Sequence, residues 1–141
     1  MVLLLMWMGL IFYLSAQPAG ESTETSNAAA LILYRMCSFF FGNIISTEEF
    51  MLRYAQPIRK LAHFTEFLIL GFLMHLNLDG HERTFGHSIC LSVLYAISDE
   101  FHQLFVENRY CSIGDILIDS SGAVCGVLLF HLIFGKWKKR N

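Results

Sequence analysis

Four stretches of this chain are apolar over about the length needed to cross a bilayer, and three of them carry ionisable side chains inside. They are "VLLLMWMGLIFYLSAQ" (2–17), "LAHFTEFLILGFLMHLNL" (61–78), "TFGHSICLSVLYAISDEFHQLFV" (84–106) and "SIGDILIDSSGAVCGVLLFHLIF" (112–134). A helical span needs about 20 residues, so each run is close to one crossing. The chain is 55% hydrophobic and only 16% charged, whereas soluble domains hold roughly 25% charged residues. The expected fold class is therefore an all-α membrane protein: a four-helix transmembrane bundle, in one domain over 1–141. A formal charge of −2 leaves no broad basic face for nucleic acid.

The first run could be a secretory signal, but no Lys or Arg precedes it, and cleavage after Ala16 would put Leu14 where a small residue is expected. It is better read as a retained span, with Tyr13, Ser15 and Gln17 reaching the interface. The connectors "DGHER" and "ENRYC" are short, which makes their flanking helices antiparallel neighbours. The first connector, 18–60, is long. Its "QPAGESTETS" reads as polar and turn-rich. "NAAALILYRMCSFFFGNII" reads as an extra interfacial or covering helix, with a fifth span the lesser alternative. Ser46 and Glu49 have capping-box spacing, so a further short helix is expected there, ended by a break at Pro57. Cys37, Cys90, Cys111 and Cys125 have no zinc-ligand spacing.

Antiparallel helices place the end of one span beside the start of the next. Lys60, His63 and Glu66 come early in the second span. Asp99, Glu100, His102 and Gln103 come late in the third, and Asp115 and Asp119 early in the fourth. Arg109 sits in the connector between the last two. All fall on one side of the bundle. At 100° per residue, Lys60, His63 and Glu66 fit an arc of about 120°, and Asp99, Glu100 and Gln103 one of about 100°. Asp115 and Asp119 share a stripe. A polar pocket is expected in this half, walled by Phe64, Phe67, Phe101 and Phe105, with His102 at its rim. Gly122 and Gly126 would let helices approach closely below it. Polar glue between helices accounts for one pair more simply than for about ten groups from three helices. His75, His87 and His131 lie toward the other side as interfacial or core residues. The basic end, Lys136, Lys138, Lys139 and Arg140, points to cytoplasmic termini and an outward-facing pocket, although Arg35, Arg53, Arg59 and Lys60 in the first connector weaken that signal.

"RKLAHFTEF", "YAISDEFHQLF", "NRYCSIGDILID", "SSGAVCG" and "FYLSAQP" resemble the VanZ-like family of bacterial membrane proteins. The resemblance implies a multi-pass protein of the bacterial plasma membrane and a context at the cell envelope. Its founding member is associated with teicoplanin resistance. The resemblance also implies a small or Gly residue before Arg109, where this chain has Asn108. Three functions stay open. The first is binding of a membrane lipid, a lipid-linked cell-wall precursor or a glycopeptide. The second is an enzyme acting on a lipid-linked substrate, with candidates His63, Glu66 and Asp99, His63 being a base oriented by Glu66 or Asp99. In it Lys60 and Arg109 would hold phosphate or carboxylate, or acids and His would hold a divalent cation. The third is a proton or ion path. No motif names a cofactor, and salt bridges from Lys60 or Arg109 are expected to offset the burial of the acids.

Overall fold

The computed structural model describes residues 1–42, 45–78 and 84–138, the last four by their backbone only. The "DGHER" connector, Asn43, and the carboxyl-terminal basic residues Lys139 and Arg140 lie outside the described residues, as do the side chains of Lys136 and Lys138. The described chain is all-helical, in five helices: α1 (Val2–Ser15), α2 (Ala19–Phe41), α3 (Thr47–Leu78), α4 (Thr84–Gln103) and α5 (Ile113–Lys138). Helices α3 and α5 are each long and apolar enough to cross a membrane. Helices α1 and α2 meet that measure only together, and they bend by 112° at the break between them. At 1.5 Å per residue α1 is only roughly 21 Å long and α3 roughly 48 Å.

Helix α3 is the hub and packs on all four others. Its Phe67, Leu70, Leu73 and Met74 form the core with Leu4 and Ile11 of α1, Ala96 of α4 and Ala123 of α5. The α3–α5 seam is the closest. A Cβ on Gly122 would fall on the Phe64 carbonyl oxygen, and one on Gly126 on the Leu68 carbonyl oxygen. Only glycine permits that approach, as the spacing predicts. Two long-range hydrogen bonds fasten α1: Trp7 Nε1 donates to the Glu66 carbonyl at 3.0 Å, and Tyr95 Oη to the Met8 carbonyl at 2.7 Å.

The first connector departs most from expectation. "QPAGESTETS" is helical from Ala19, not turn. The hydroxyls that favour turns bond back along the helix instead: Thr23 to the Ala19 carbonyl, Thr25 to Glu21 and Ser26 to Ser22. The Ala19 N–H donates to the Glu107 carbonyl, which satisfies one donor of the first turn. Nor does Pro57 end a helix; it lies inside α3. An interior proline forfeits one hydrogen bond and costs about 3 kcal/mol. Helix α2 packs across the first half of α3, through the Tyr34–Phe50 ring contact at 5.1 Å, and Tyr34 Oη also donates to the Ile45 carbonyl just ahead of α3. The separate short helix and the second span are one element.

The cap at the start of α3 forms: Ser46 Oγ accepts from the Glu49 N–H at 3.2 Å. Ser46→Ala should cost about 1 kcal/mol locally. We expect faster amide exchange at residues 47–50, with the rest of α3 unchanged.

Helix α4 stops at Gln103 rather than 106, because residues 104–108 form turns closed by Leu104 to Phe101 and Phe105 to His102 backbone bonds. The aromatic wall is also absent. Phe67 is in the core, while Phe101 and Phe105 are 59% and 75% exposed and pack edge to face on each other outside the bundle. His102 stacks on Phe12, ring centroids 4.4 Å apart, rather than at a pocket rim. All four cysteines are free.

Candidate functional site

The polar residues gather where the middle of α3, the end of α4 and the start of α5 meet. They line two adjoining cavities. The first, about 340 Å³, is bounded by Lys60, His63, Glu100, Gln103, Arg109, Asp115 and Asp119, together with Gln56, Arg59, Tyr110 and Ser112. The second, about 120 Å³, lies under α2 and is bounded by His63, Glu66, Asp99 and Arg109, with Arg59, Ser15 and the apolar Ile11, Leu14, Ala29 and Ala62. All nine residues singled out in the sequence thus border one cavity or the other. Arg59, His63 and Arg109 border both and form the partition.

Arg59 and Gln56 escape the sequence reading, yet their positions were available. At 100° per residue both fall within the arc of about 120° that holds Lys60, His63 and Glu66. Ser112 is the residue ahead of α5, and its Oγ lies 3.4 Å from the Asp115 N–H. That is an N-cap position, legible from a Ser before an apolar helix. Ser15 is marked in sequence only as an interfacial residue of the "FYLSAQP" stretch, and the fold brings it to the cavity.

Three of the acids are deeply buried: Asp119 is 0% exposed, Glu100 1% and Asp99 4%, and Gln103 beside them is 4% exposed. Glu66 and Asp115 are half-buried. Glu100 Oε2 accepts from the Ser112 N–H at 3.0 Å, which ties the end of α4 to the start of α5. Gln103 Nε2 donates to Asp99 Oδ2 at 3.3 Å. Among the described residues, Asp99 Oδ1 and both oxygens of Asp119 have no hydrogen-bond partner. His63 Nδ1 lies 3.8 Å from Asp119 Oδ1, too far for a hydrogen bond. His63 therefore neighbours Asp119, not Glu66 or Asp99 as the sequence suggested.

The expected salt bridges to Lys60 and Arg109 are not made. Among the described residues His63–Asp119 is the one approach of a basic nitrogen to a carboxylate oxygen within 4.0 Å. Arg109 turns to backbone instead: Nε donates to the Gln17 carbonyl at 3.2 Å, and a terminal nitrogen reaches the Ser15 carbonyl at 3.5 Å. The last carbonyls of α1 have no helical partners, so they compete for the guanidinium. Burial lowers the Arg109 pKa from its usual value, and the like charge of Arg59 pushes the same way. The group still carries its charge. The two guanidiniums lie close enough for their like charges to act on each other, and the Arg109 charge is opposed at longer range by Asp99, Glu100 and Asp115. Before Arg109, Asn108 takes a left-handed φ of 57°, a conformation that glycine adopts freely and Asn tolerates. This explains how Asn fits where a Gly was expected.

Among the described residues no group of three His, Cys, Asp or Glu is placed to hold a metal ion. The cation-bridged form of the site therefore has no preformed ligand set there.

A family model described as VanZ/LLP1 matches residues 1–134. The chain belongs to the VanZ/LLP1 family. No curated protein and no solved structure matches it. The VanZ/LLP1 match runs through all five helices, so both cavities lie inside the family region. With two or three helices apolar enough to cross a bilayer, this VanZ/LLP1 chain is a membrane protein.

On the far side of the core, His75 is buried and its Nδ1 lies 3.0 Å from Ser88 Oγ. Its ring packs against Phe130 at 4.9 Å. That environment suits a core histidine.

Proposed function

We propose that this protein crosses the bacterial plasma membrane four times and binds the head group of a lipid-linked or amphiphilic envelope ligand in its larger cavity. Helices α1, α3, α4 and α5 are the spans. Helix α2 lies at the interface, where its exposed Ile32, Met36, Phe39, Phe40 and Phe41 meet lipid. The positive-inside rule applied to the basic carboxyl terminus favours cytoplasmic ends and an outward cavity. The polar residues of α4 lower its hydropathy, yet they point to the bundle interior, where ionisable groups are tolerated when they serve a site.

One observation carries the reading. Arg59, Lys60 and Arg109 converge on a cavity of about 340 Å³, and among the described residues none of them has a carboxylate within 4.0 Å. An anionic head group supplies the missing partner, and Arg binds phosphate or carboxylate with a two-pronged fork. In the cell, occupancy of such a site would alter access of a glycopeptide such as teicoplanin to its envelope target.

Native mass spectrometry of the purified protein tests this. We expect a co-purified amphiphile on the wild type and at least a tenfold loss of occupancy, about 1.4 kcal/mol, in Arg59→Ala/Lys60→Ala. Equal occupancy in both proteins refutes the assignment. Teicoplanin susceptibility of cells carrying the same variant is the companion measurement.

The His63–Asp119 neighbourhood favours one alternative, a membrane-embedded hydrolase or transferase with His63 as general base. It predicts that a bound candidate lipid returns with altered mass, and that His63→Ala abolishes the change.

A further inference from the structure

The larger cavity is lined by charges of both signs that do not touch. Arg59 and Lys60 come from α3 and Arg109 from the α4–α5 loop; Glu100 comes from α4, and Asp115 and Asp119 from α5. Three formal positives face three formal negatives. Charges free to pair inside a low-dielectric bundle would do so. Here, among the described residues, no Arg or Lys nitrogen comes within 4.0 Å of a carboxylate oxygen.

Asp119 makes the vacancy specific. It is fully buried, borders the cavity, and among the described residues has no donor for either oxygen. Burying a carboxylate without donors is costly. Its nearest basic atom, His63 Nδ1, is at 3.8 Å and is itself unbonded. Asp119 is therefore the cavity acid short of donors, since Glu100 already accepts from the Ser112 N–H, and on the cationic side Arg109 donates to backbone carbonyls rather than to a carboxylate.

A purely anionic head group would satisfy the cations and leave Asp119 uncompensated, with net negative charge in a partly buried space. A neutral polyol would bring donors to Asp119 but no charge. An ammonium group brings both: three donors and a positive charge. On the order of ten water volumes fit in about 340 Å³, so the space exceeds that of a bare ion.

Resting on the reading that this cavity holds the head group of an envelope amphiphile, we infer that the head group is a zwitterion. Its phosphate diester lies toward Arg59, Lys60 and Arg109, and its primary ammonium toward Asp119. Such a ligand adds no net charge to the cavity. The chemistry is that of an aminoethyl phosphodiester, whether carried on a lipid or free in solution.

Isothermal titration of the full chain in a maltoside detergent tests this with three probes: dihexanoyl phosphatidylethanolamine, dihexanoyl phosphatidylglycerol and free glycerophosphoethanolamine. We expect the ethanolamine lipid to bind about tenfold more tightly than the glycerol lipid. Asp119→Asn should erase that preference and, by removing a negative charge from the cavity wall, tighten glycerol-lipid binding rather than weaken it. Lys60→Gln, at an exposed position, should weaken both lipids alike and so keeps the test readable if the Asp119 variant folds poorly. With the ethanolamine-lipid preference established, free glycerophosphoethanolamine binding as tightly as the lipid assigns the zwitterion to a soluble source, and weaker binding assigns it to a lipid. Equal or better binding of the glycerol lipid, or a preference that survives Asp119→Asn, overturns the zwitterion while the cavity remains a head-group site. Failure of all three probes to bind overturns both.

Discussion

Gly126→Ala should destabilise the protein by about 3 kcal/mol, the upper end of what overpacking a core usually costs. The added methyl would land on the Leu68 carbonyl oxygen and crowd the Phe72 backbone nitrogen. Both are main-chain atoms of α3, so no rotamer change makes room. Helices α3 and α5 must separate, and the separation propagates to the Gly122–Phe64 contact one turn away. Because α3 is the hub, the loss reaches α1 and α4 as well. Gly9→Ala is the matched control. Nothing lies within 4 Å of its added methyl, and alanine favours a helix by up to about 1 kcal/mol over glycine. Thermal unfolding in detergent, followed by circular dichroism, should show a large drop for the first variant and none for the second. A Gly126→Ala protein as stable as wild type would mean that α3 and α5 are not in backbone contact.

How far the site was legible follows from where each residue's information resides. Asp115, Asp119, Gly122 and Gly126 lie on one helix at intervals of three or four, so the shared face follows from helical geometry alone. Asp99, Glu100 and Gln103 are similar, and all three are buried. Helix α2 was not legible, because Ser and Thr favour turns and caps in sequence, and only tertiary packing decides whether their hydroxyls fold back on a helix. Pro57 is similar: its local cost is real, yet it lies inside α3, on which α2 packs. The partners of His63 and Arg109 could not be read at all. Facing residues on different helices depend on axial offset, and a shift of one turn, about 5.4 Å, changes His63's neighbour from one acid to another.

That offset also divides the polar set. Sequence periodicity gives each helix an inward arc but not its depth relative to the others. The arcs therefore merge into a single pocket on paper, whereas in the structure Glu66 and Asp99 fall behind the Arg59–His63–Arg109 partition. Both cavities carry charges of both signs, and the smaller adds the apolar Ile11 and Leu14 of α1 and Ala29 of α2 to its wall.

Arg109 is the residue whose loss should be felt in both structure and binding. Its Nε bond to the Gln17 carbonyl holds the α4–α5 loop against the end of α1, at a sequence separation of 92 residues. The Ala19–Glu107 backbone bond closes the same junction. Hydrogen bonds from charged donors are worth about 1.5–3 kcal/mol each, so Arg109→Ala should lower stability by about 2 kcal/mol. It also removes a cation that borders both cavities. Arg109→Lys separates the two roles. Lysine keeps the positive charge but lacks the planar fork and the Nε donor. It should restore part of the head-group binding and little of the loop attachment. Hydrogen exchange at residues 104–112 reads the attachment, and lipid occupancy in native mass spectrometry reads the charge. If lysine rescues neither, the guanidinium geometry is required for both; if alanine changes neither, Arg109 has no part in the site.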